Sequence, residues 1–189
     1  MAVLKKIRSF RFNSLRSTDA APGQSAIFDA HLYGTYQQGQ DYVIRLMTHE
    51  HVDECWRLDL RCFVDGEAYN RDTFEYLLSA PESTAYCAMS DDNEMIGFII
   101  GLVEPDRTGH ITTVAVAPED RRRGIAERLM RRVEMAFRAR GVTVMRLEVR
   151  DTNAAGVELY RKLGFTVIHQ LVTYYSNGGD GLLMVKSLD

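Results

Sequence analysis

Arg121-Arg122-Arg123-Gly124-Ile125-Ala126 joins two kinds of periodicity. Before it runs the β-branched segment Ile111 to Val116, closed by Pro118. After it, Ile125, Leu129, Val133, Ala136 and Phe137 recur at helical spacing up to Arg140, and Gly141 follows. A strand that stops at a proline and re-emerges as a helix presents the helix's first free N–H groups at the sheet edge. Those groups carry the positive end of the helix dipole, which makes them an anion site. Gly124 and Ala126 leave little bulk over the turn, so a diphosphate can approach the backbone closely, and the arginines add charge.

Outward from this point the chain reads as alternating strands and helices. Tyr42 to Leu46 is an expected strand, and Thr48 is the expected cap of a helix over Glu50 to Phe63 that Asp65-Gly66 breaks. A shorter helix over Asp72 to Leu78 stops before Pro81. Thr84 to Met89 and Met95 to Val103 form a hairpin around Asp91-Asp92-Asn93, and His110 to Val116 is the next strand. Beyond the long helix come a strand over Val144 to Arg150, a helix over Asn153 to Leu163, and a last hairpin. Its strands are Phe165 to Tyr175 and Leu182 to Ser187. The order β-α-α-β-β-β-α-β-α-β-β predicts an α/β fold: one mixed sheet with helices on both faces.

At 189 residues the chain is long enough for one domain with a core and an appendage. Its net charge of −3 gives no reason to expect a nucleic-acid partner, and no apolar run approaches a membrane span. Three cysteines without a C-x-x-C pair read as reduced thiols in a cytoplasmic protein. Residues 41–189 read as the main domain and residues 1–40 as a basic arm and linker, with one short helix expected near Ile27 to Leu32. Lys5, Lys6, Arg8, Arg11 and Arg16 fall in a stretch with no acidic residue. Such a start reads either as an organelle transit segment or as an arm lying on the domain or on a partner subunit in a homodimer. The lack of a small-residue cleavage signature favours the arm.

Three further strings stand at consistent distances from the Arg-rich turn. Val114-Ala115-Val116-Ala117-Pro118-Glu119 precedes it; Leu147-Glu148-Val149-Arg150 follows, then Asn153 and Leu159-Tyr160-Arg161-Lys162-Leu163-Gly164-Phe165. Together they resemble the GNAT superfamily of acetyl-CoA-dependent N-acetyltransferases, over roughly residues 42–188. Within it they resemble the ribosomal-protein alanine and other protein Nα-acetyltransferases. The resemblance implies the GNAT-type acyl-CoA N-acyltransferase fold, with acetyl-CoA as cofactor. It places the diphosphate on the turn from Arg121 to Glu127 (Arg121, Arg122, Arg123, Gly124, Ile125, Ala126, Glu127). The pantetheine arm pairs with Val114, Ala115 and Val116, and Asn153 lies near the thioester. Asn153 also suits an N-cap, and both roles can hold.

On the strand Val144 to Arg150, Met145, Leu147 and Val149 point one way and Arg146, Glu148 and Arg150 the other. A solvated Arg–Glu face is one reading of Glu148. The resemblance implies another: the general base that takes the amine's proton, directly or through water. For Tyr160 it implies the acid that protonates the departing thiolate; the alternative is a packing aromatic. The reaction is then a direct attack, and no cysteine is nominated as nucleophile. His110 is a reserve base through water. His49-Glu50-His51 lacks H-E-x-x-H spacing and reads as first-turn residues, not metal ligands.

For the acceptor, the resemblance points to a peptide N-terminus flanked by Phe63, Glu67 and Tyr69 on one side and by Tyr174 and Tyr175 on the other. Neutralising an α-amine, of reference pKa near 8, costs roughly 3 kcal/mol less than neutralising lysine. The ribosomal-protein enzymes carry a Pro-Trp pair in the first helix–helix loop and a Glu-Asp-Ala string before the last strand. Here the first is missing and Gly179-Asp180-Gly181 replaces the second. Both departures lie on the acceptor side. A small amine such as a polyamine, aminoglycoside or amino acid is the second reading, and a non-catalytic acetyl-CoA-binding module the third.

Overall fold

The computed structural model describes residues 41–64 and 66–189. The expected arm, its short helix and any dimer contact through it lie outside the described residues. The elements are β1 (Tyr42–Leu46), a 3-10 turn (His49–His51), α1 (Val52–Cys62), α2 (Arg71–Ser79), β2 (Ser83–Ser90), β3 (Met95–Val103) and β4 (Thr108–Val116). After a second 3-10 turn (Pro118–Asp120) follow α3 (Ile125–Ala139), β5 (Val144–Arg150), α4 (Ala154–Lys162), β6 (Thr166–Leu171) and β7 (Gly181–Ser187). The seven strands form one sheet in the order β1-β2-β3-β4-β5-β7-β6, with β4–β5 its parallel pair.

Each face of the sheet carries its own core. On one, Ile125, Leu129, Val133 and Phe137 of α3 and Val157 and Tyr160 of α4 pack on Ile99, Ile111, Met145, Leu147 and Met184. On the other, Val52, Cys55 and Leu58 of α1 and Phe74 and Leu77 of α2 cover Cys87, Phe98, Ile100 and Ala115. The alternation of β5 thus sends its apolar residues towards α3 and α4. Arg146, Glu148 and Arg150 take the opposite face.

The strand β4 changes face part-way. Gly101 pairs with Ile111 and Ile100 with Thr113, so Thr112 is an extra residue, a β-bulge. Ile111 joins the α3 core while Ala115, four residues on, joins the α1–α2 core. The alternating run Ile111 to Val116 gave no sign of this switch. A bulge bends its strand, and here the parallel pairing of β4 with β5 covers only Thr108 to His110 against Val144 to Arg146. Both strands continue, unpaired with each other, to Val116 and Arg150. The sheet therefore opens into a V between them.

Phe137 lies flat over Gly101 and Gly109. A Cβ added at Gly109 would stand 2.4 Å from Phe137 Cδ2, and one at Gly101 2.6 Å from Cζ. Gly109→Ala is expected to destabilise the fold by about 1–3 kcal/mol through overpacking. Thermal melting should show the midpoint falling by roughly 3–10 °C, and an unchanged midpoint would contradict this packing.

The last hairpin differs from expectation. β6 ends at Leu171, so Tyr174 and Tyr175 lie in the β6–β7 loop, not on a strand. Thr173 takes a left-handed φ of 51°, which breaks the strand. Asp180 then organises the loop, accepting from Thr173 N–H at 2.8 Å and from Gln170 Nε2 at 3.2 Å.

Candidate active site

The part of the site expected to hold the cofactor begins at the mouth of α3. Gly124 is its N-cap, at φ 77° with no side-chain cap, and Arg122 also sits left-handed at φ 67°. The first helical bond runs from Arg128 N–H to Gly124 C=O at 3.1 Å. Among the described residues no backbone N–H from Arg122 to Glu127 has a partner. A Cβ at Gly124 would meet nothing within 4 Å. This is a concave row of free donors at a positive helix end, and it fits a diphosphate.

The arginines divide their work. Arg121 donates from Nε to the Val116 carbonyl at 3.3 Å, tying the turn to the strand end. Arg123 is paired with Asp120 and Asp41, and its hydrogen bond holds the Asp41 carboxyl below the usual carboxylate range. Arg122 is exposed. Glu127 keeps its N–H at the mouth, while Lys162 at 2.7 Å and Arg131 at 2.9 Å neutralise its carboxylate and lower its pKa.

Val114, Ala115 and Val116 pair with β3 on one side only and face the V on the other. Alternate carbonyls of a strand share an edge, so Val114 and Val116 point theirs alike; Arg121 and the Cys62 thiol take that of Val116. Asn153 accepts from Gly156 N–H at 3.0 Å, which makes it the N-cap of α4. Tyr160 is 8% exposed, with its ring edge-on to Phe165 at 6.0 Å. Its hydroxyl has no hydrogen bond among the described residues, and burial alone pushes its pKa up to about 12.

Glu148 stands at the other wall of the V. His110, level with Arg146 in the parallel pairing, brings its Nε2 to 2.7 Å from Glu148 Oε2, and Arg146 donates to Oε1. Arg146 also forks onto Glu104, at 2.6 Å and 3.3 Å. Burial raises the Glu148 carboxyl, but the hydrogen bond from His110 and the charges of His110 and Arg146 outweigh it, so its pKa is lowered. An ionised carboxylate only accepts, so His110 Nε2–H is the donor. Glu104 carries no sequence signal, because only the strand register brings it to a residue 42 positions away.

The acceptor-side nominees divide. Phe63 packs against the α1–α2 core. Glu67 accepts from Ser176 N–H at 2.9 Å and Oγ at 2.6 Å and pairs with Arg150 at 3.4 Å, joining the α1–α2 loop to the β6–β7 loop. The Tyr69 hydroxyl donates to the Thr112 carbonyl at the bulge, at 3.3 Å. Tyr174 and Tyr175 pack edge-on at 5.1 Å over Gly181, with the Arg150 guanidinium 4.0 Å from the Tyr175 ring centre. Burial and the charges of Glu148 and Glu67 push Tyr174 up to about 12, partly offset by Arg146. Tyr69 is raised by burial and by Asp59, Tyr174, Glu148 and Glu67. The fold therefore brings Glu67, Tyr69, Glu148 and Tyr174 together from three separate segments.

His49 pairs with Glu75 at 3.5 Å, and His51 Nδ1 accepts from Thr48 N–H at 3.1 Å, so both serve the helix entry. No group of three metal-ligating side chains occurs among the described residues, and none of their helices is long and apolar enough to cross a membrane.

The acetyltransferase (GNAT) family matches residues 47–165. The catalytic subunit NAA20 of the N-terminal acetyltransferase B complex of Arabidopsis thaliana is 32% identical over 126 residues, 65% of this chain and 72% of that protein. An N-alpha-acetyltransferase of Saccharolobus solfataricus is 27% identical over 167 residues, 80% and 96% of the two chains. Among solved structures, the ribosomal-protein-S18-alanine N-acetyltransferase from Escherichia coli has a TM-score of 0.71 at 22% identity, covering 78% of this chain and 94% of that one. A NatC complex bound to Gag peptide and CoA also gives 0.71, at 24% identity, over 79% and 100%. These two share the fold.

Proposed function

The chain belongs to the acetyltransferase (GNAT) family and is an N-acetyltransferase that uses acetyl-CoA; from that premise we propose that its acceptor is the α-amino group of a polypeptide, acetylated by direct attack. The observation that carries this reading is the His110–Glu148 pair, 2.7 Å apart at the opening between β4 and β5. Relatives named N-alpha-acetyltransferase add support for the acceptor.

Acetyl-CoA supplies the activated acetyl group. The free N–H groups from Arg122 to Glu127 hold its diphosphate, with Arg121 and Arg122 adding charge and Arg123 bracing the turn. The open edge at Val114 to Val116 holds the pantetheine arm, and Asn153 orients the start of α4 beside it. The Glu148–His110 pair accepts the amine's proton, directly or through water. Arg146 helps to keep Glu148 ionised, and Glu104 holds Arg146 in place. An α-amine suits such an acceptor, because it gives up its proton near pH 8 while lysine holds it to about 10.4. Tyr160 keeps its proton at neutral pH and offers an unshared hydroxyl to the leaving sulfur. Glu67, Tyr69, Tyr174 and Tyr175 border the amine.

Direct attack also agrees with the thiols. Burial pushes Cys87 up to about 11 and raises Cys55 and Cys62 as well, so none is a ready nucleophile. The three free thiols suit a cytoplasmic setting.

Turnover of peptides with free N-termini, set against lysine-only peptides and a panel of polyamines, aminoglycosides and amino acids, tests the proposal. Transfer to α-amines alone is expected. Turnover confined to the small amines would replace this reading with that of a small-molecule enzyme.

A further inference from the structure

One residue grips the chain on both sides of the turn between Phe63 and Tyr69. The Asp59 backbone carbonyl accepts the Phe63 N–H at 2.9 Å, and its side-chain Oδ2 accepts the Tyr69 N–H at 2.7 Å. Asp59 is 1% exposed, and its Oδ1 is buried with no hydrogen-bond partner. It extends the apolar stripe of α1 formed by Val52, Cys55 and Leu58. A leucine there would pack without leaving a carboxylate half-satisfied, so the carboxylate is retained against the demands of the core.

What Asp59 holds is the part of the acceptor side nearest the chemistry. Tyr69 is clamped at its N–H by Asp59, at its ring by Phe74 (5.9 Å, edge-on) and at its hydroxyl by the Thr112 carbonyl (3.3 Å). The Thr112 bulge is the feature that opens β4 from β5. The charge of Glu148 and the Tyr174 hydroxyl both act on Tyr69.

We propose that Asp59 is a positioning residue for the amine acceptor: by closing the turn at both ends it fixes Tyr69 against the bulge and sets the cleft beside Glu148. This rests on the reading that the α1–α2 loop borders the amine. Asp59 touches no reacting atom; it acts through Tyr69.

The arrangement carries a pH dependence. Burial pushes the Asp59 carboxyl up to about 7, with the Tyr69 N–H pulling the other way. The titratable groups that interact with it are the Cys55 and Cys62 thiols and the Tyr69 phenol, and no ion pair to it occurs among the described residues. In the unfolded chain the carboxyl returns to about 4. Asp59 therefore favours the fold fully below about 4, and that contribution is lost as pH rises through about 7.

The test uses the full chain with Asp59→Asn and Asp59→Ala. Nuclear magnetic resonance follows the Tyr69 amide from pH 5.5 to 8.5, and kinetics use whichever acceptor the wild type turns over. In wild type the Tyr69 amide should titrate with a midpoint of about 7; in Asp59→Asn, which keeps an acceptor oxygen, the titration should vanish while acceptor KM stays within about twofold. Asp59→Ala should lose exchange protection at Tyr69 and raise acceptor KM about tenfold, with kcat and acetyl-CoA affinity near wild type. Asp59→Ala with unchanged acceptor KM, or with exchange protection at Tyr69 intact, overturns the proposal. So does a loss of kcat and acetyl-CoA affinity together, which would mark Asp59 as general core. If only small amines are turned over, the peptide reading falls and the Asp59 measurements still decide their own question.

Discussion

Glu148→Gln should lower kcat by about 10²–10³-fold, the usual worth of a positioned proton acceptor, while leaving acetyl-CoA affinity within about twofold. The reasoning starts from what the substitution spares. Arg146 keeps its fork to Glu104 at 2.6 Å and 3.3 Å, so the guanidinium is not left as an orphaned buried charge. The backbone of β5 keeps its full pairing to β7, Glu148 facing Leu183. The glutamine side chain still fills the same space. What disappears is the negative charge that the amine's proton needs, and one of the two acceptor oxygens that His110 Nε2–H and Arg146 now share. Because Glu148 is ionised in the resting protein, loss of activity towards acid follows protonation of the amine, and it should persist at the same pH when the acceptor is unchanged. Isothermal calorimetry with acetyl-CoA and steady-state kinetics on the same sample separate the two quantities. Retained kcat would remove Glu148 from the proton path and leave it as an ion-pair residue. A parallel collapse of acetyl-CoA affinity would mean that the Glu104–Arg146–Glu148–His110 cluster holds the cleft open.

The parts of this site that lie along one element are legible in the sequence, and the parts made by juxtaposition are not. The strands Met95–Val103 and Val144–Arg150 follow directly from their apolar and alternating residues. The alternation of β5 is enough to put Glu148 on the face away from α3. The left-handed Gly124 follows from its place between strand and helix. By contrast, the bulge at Thr112 leaves no mark, because Thr112 and Thr113 fit either face of a strand. Without the bulge, the V between β4 and β5 and the meeting of Tyr69 with β4 cannot be foreseen. The strand expected to reach Tyr175 stops at Leu171 because Asp180 hydrogen-bonds into the loop from beyond it. A run rich in β-formers hides that kind of non-local contact. Asp59 did carry a signal, a carboxylate on the buried stripe of α1, but its partner at Tyr69 lies past a turn that periodicity does not cross.

Gly124→Glu should abolish measurable acetyl-CoA binding, a loss of about 100-fold or more, equivalent to at least about 2.7 kcal/mol. Two effects combine. The left-handed backbone at φ 77° disfavours any side chain by roughly 1–2 kcal/mol, which costs stability and blurs the row of N–H groups. The side chain then enters the open space above the turn, where a Cβ has no neighbour within 4 Å. That space is where the diphosphate has to sit to reach the unpaired amides from Arg122 to Glu127. A carboxylate there occupies the donors itself and repels the phosphates. Of the neighbouring cations, Arg123 is already committed to Asp120 and Asp41, and Lys162 and Arg131 to Glu127, which leaves them no charge to spare for the new carboxylate. Gly124→Asn separates the causes, since asparagine tolerates the left-handed region and carries no charge. It should weaken binding by only about tenfold, with a melting temperature between those of wild type and the glutamate variant. Calorimetry that finds Gly124→Glu and wild type equal in affinity would move the diphosphate away from the mouth of α3, and with it the alignment of the thioester along Val114 to Val116.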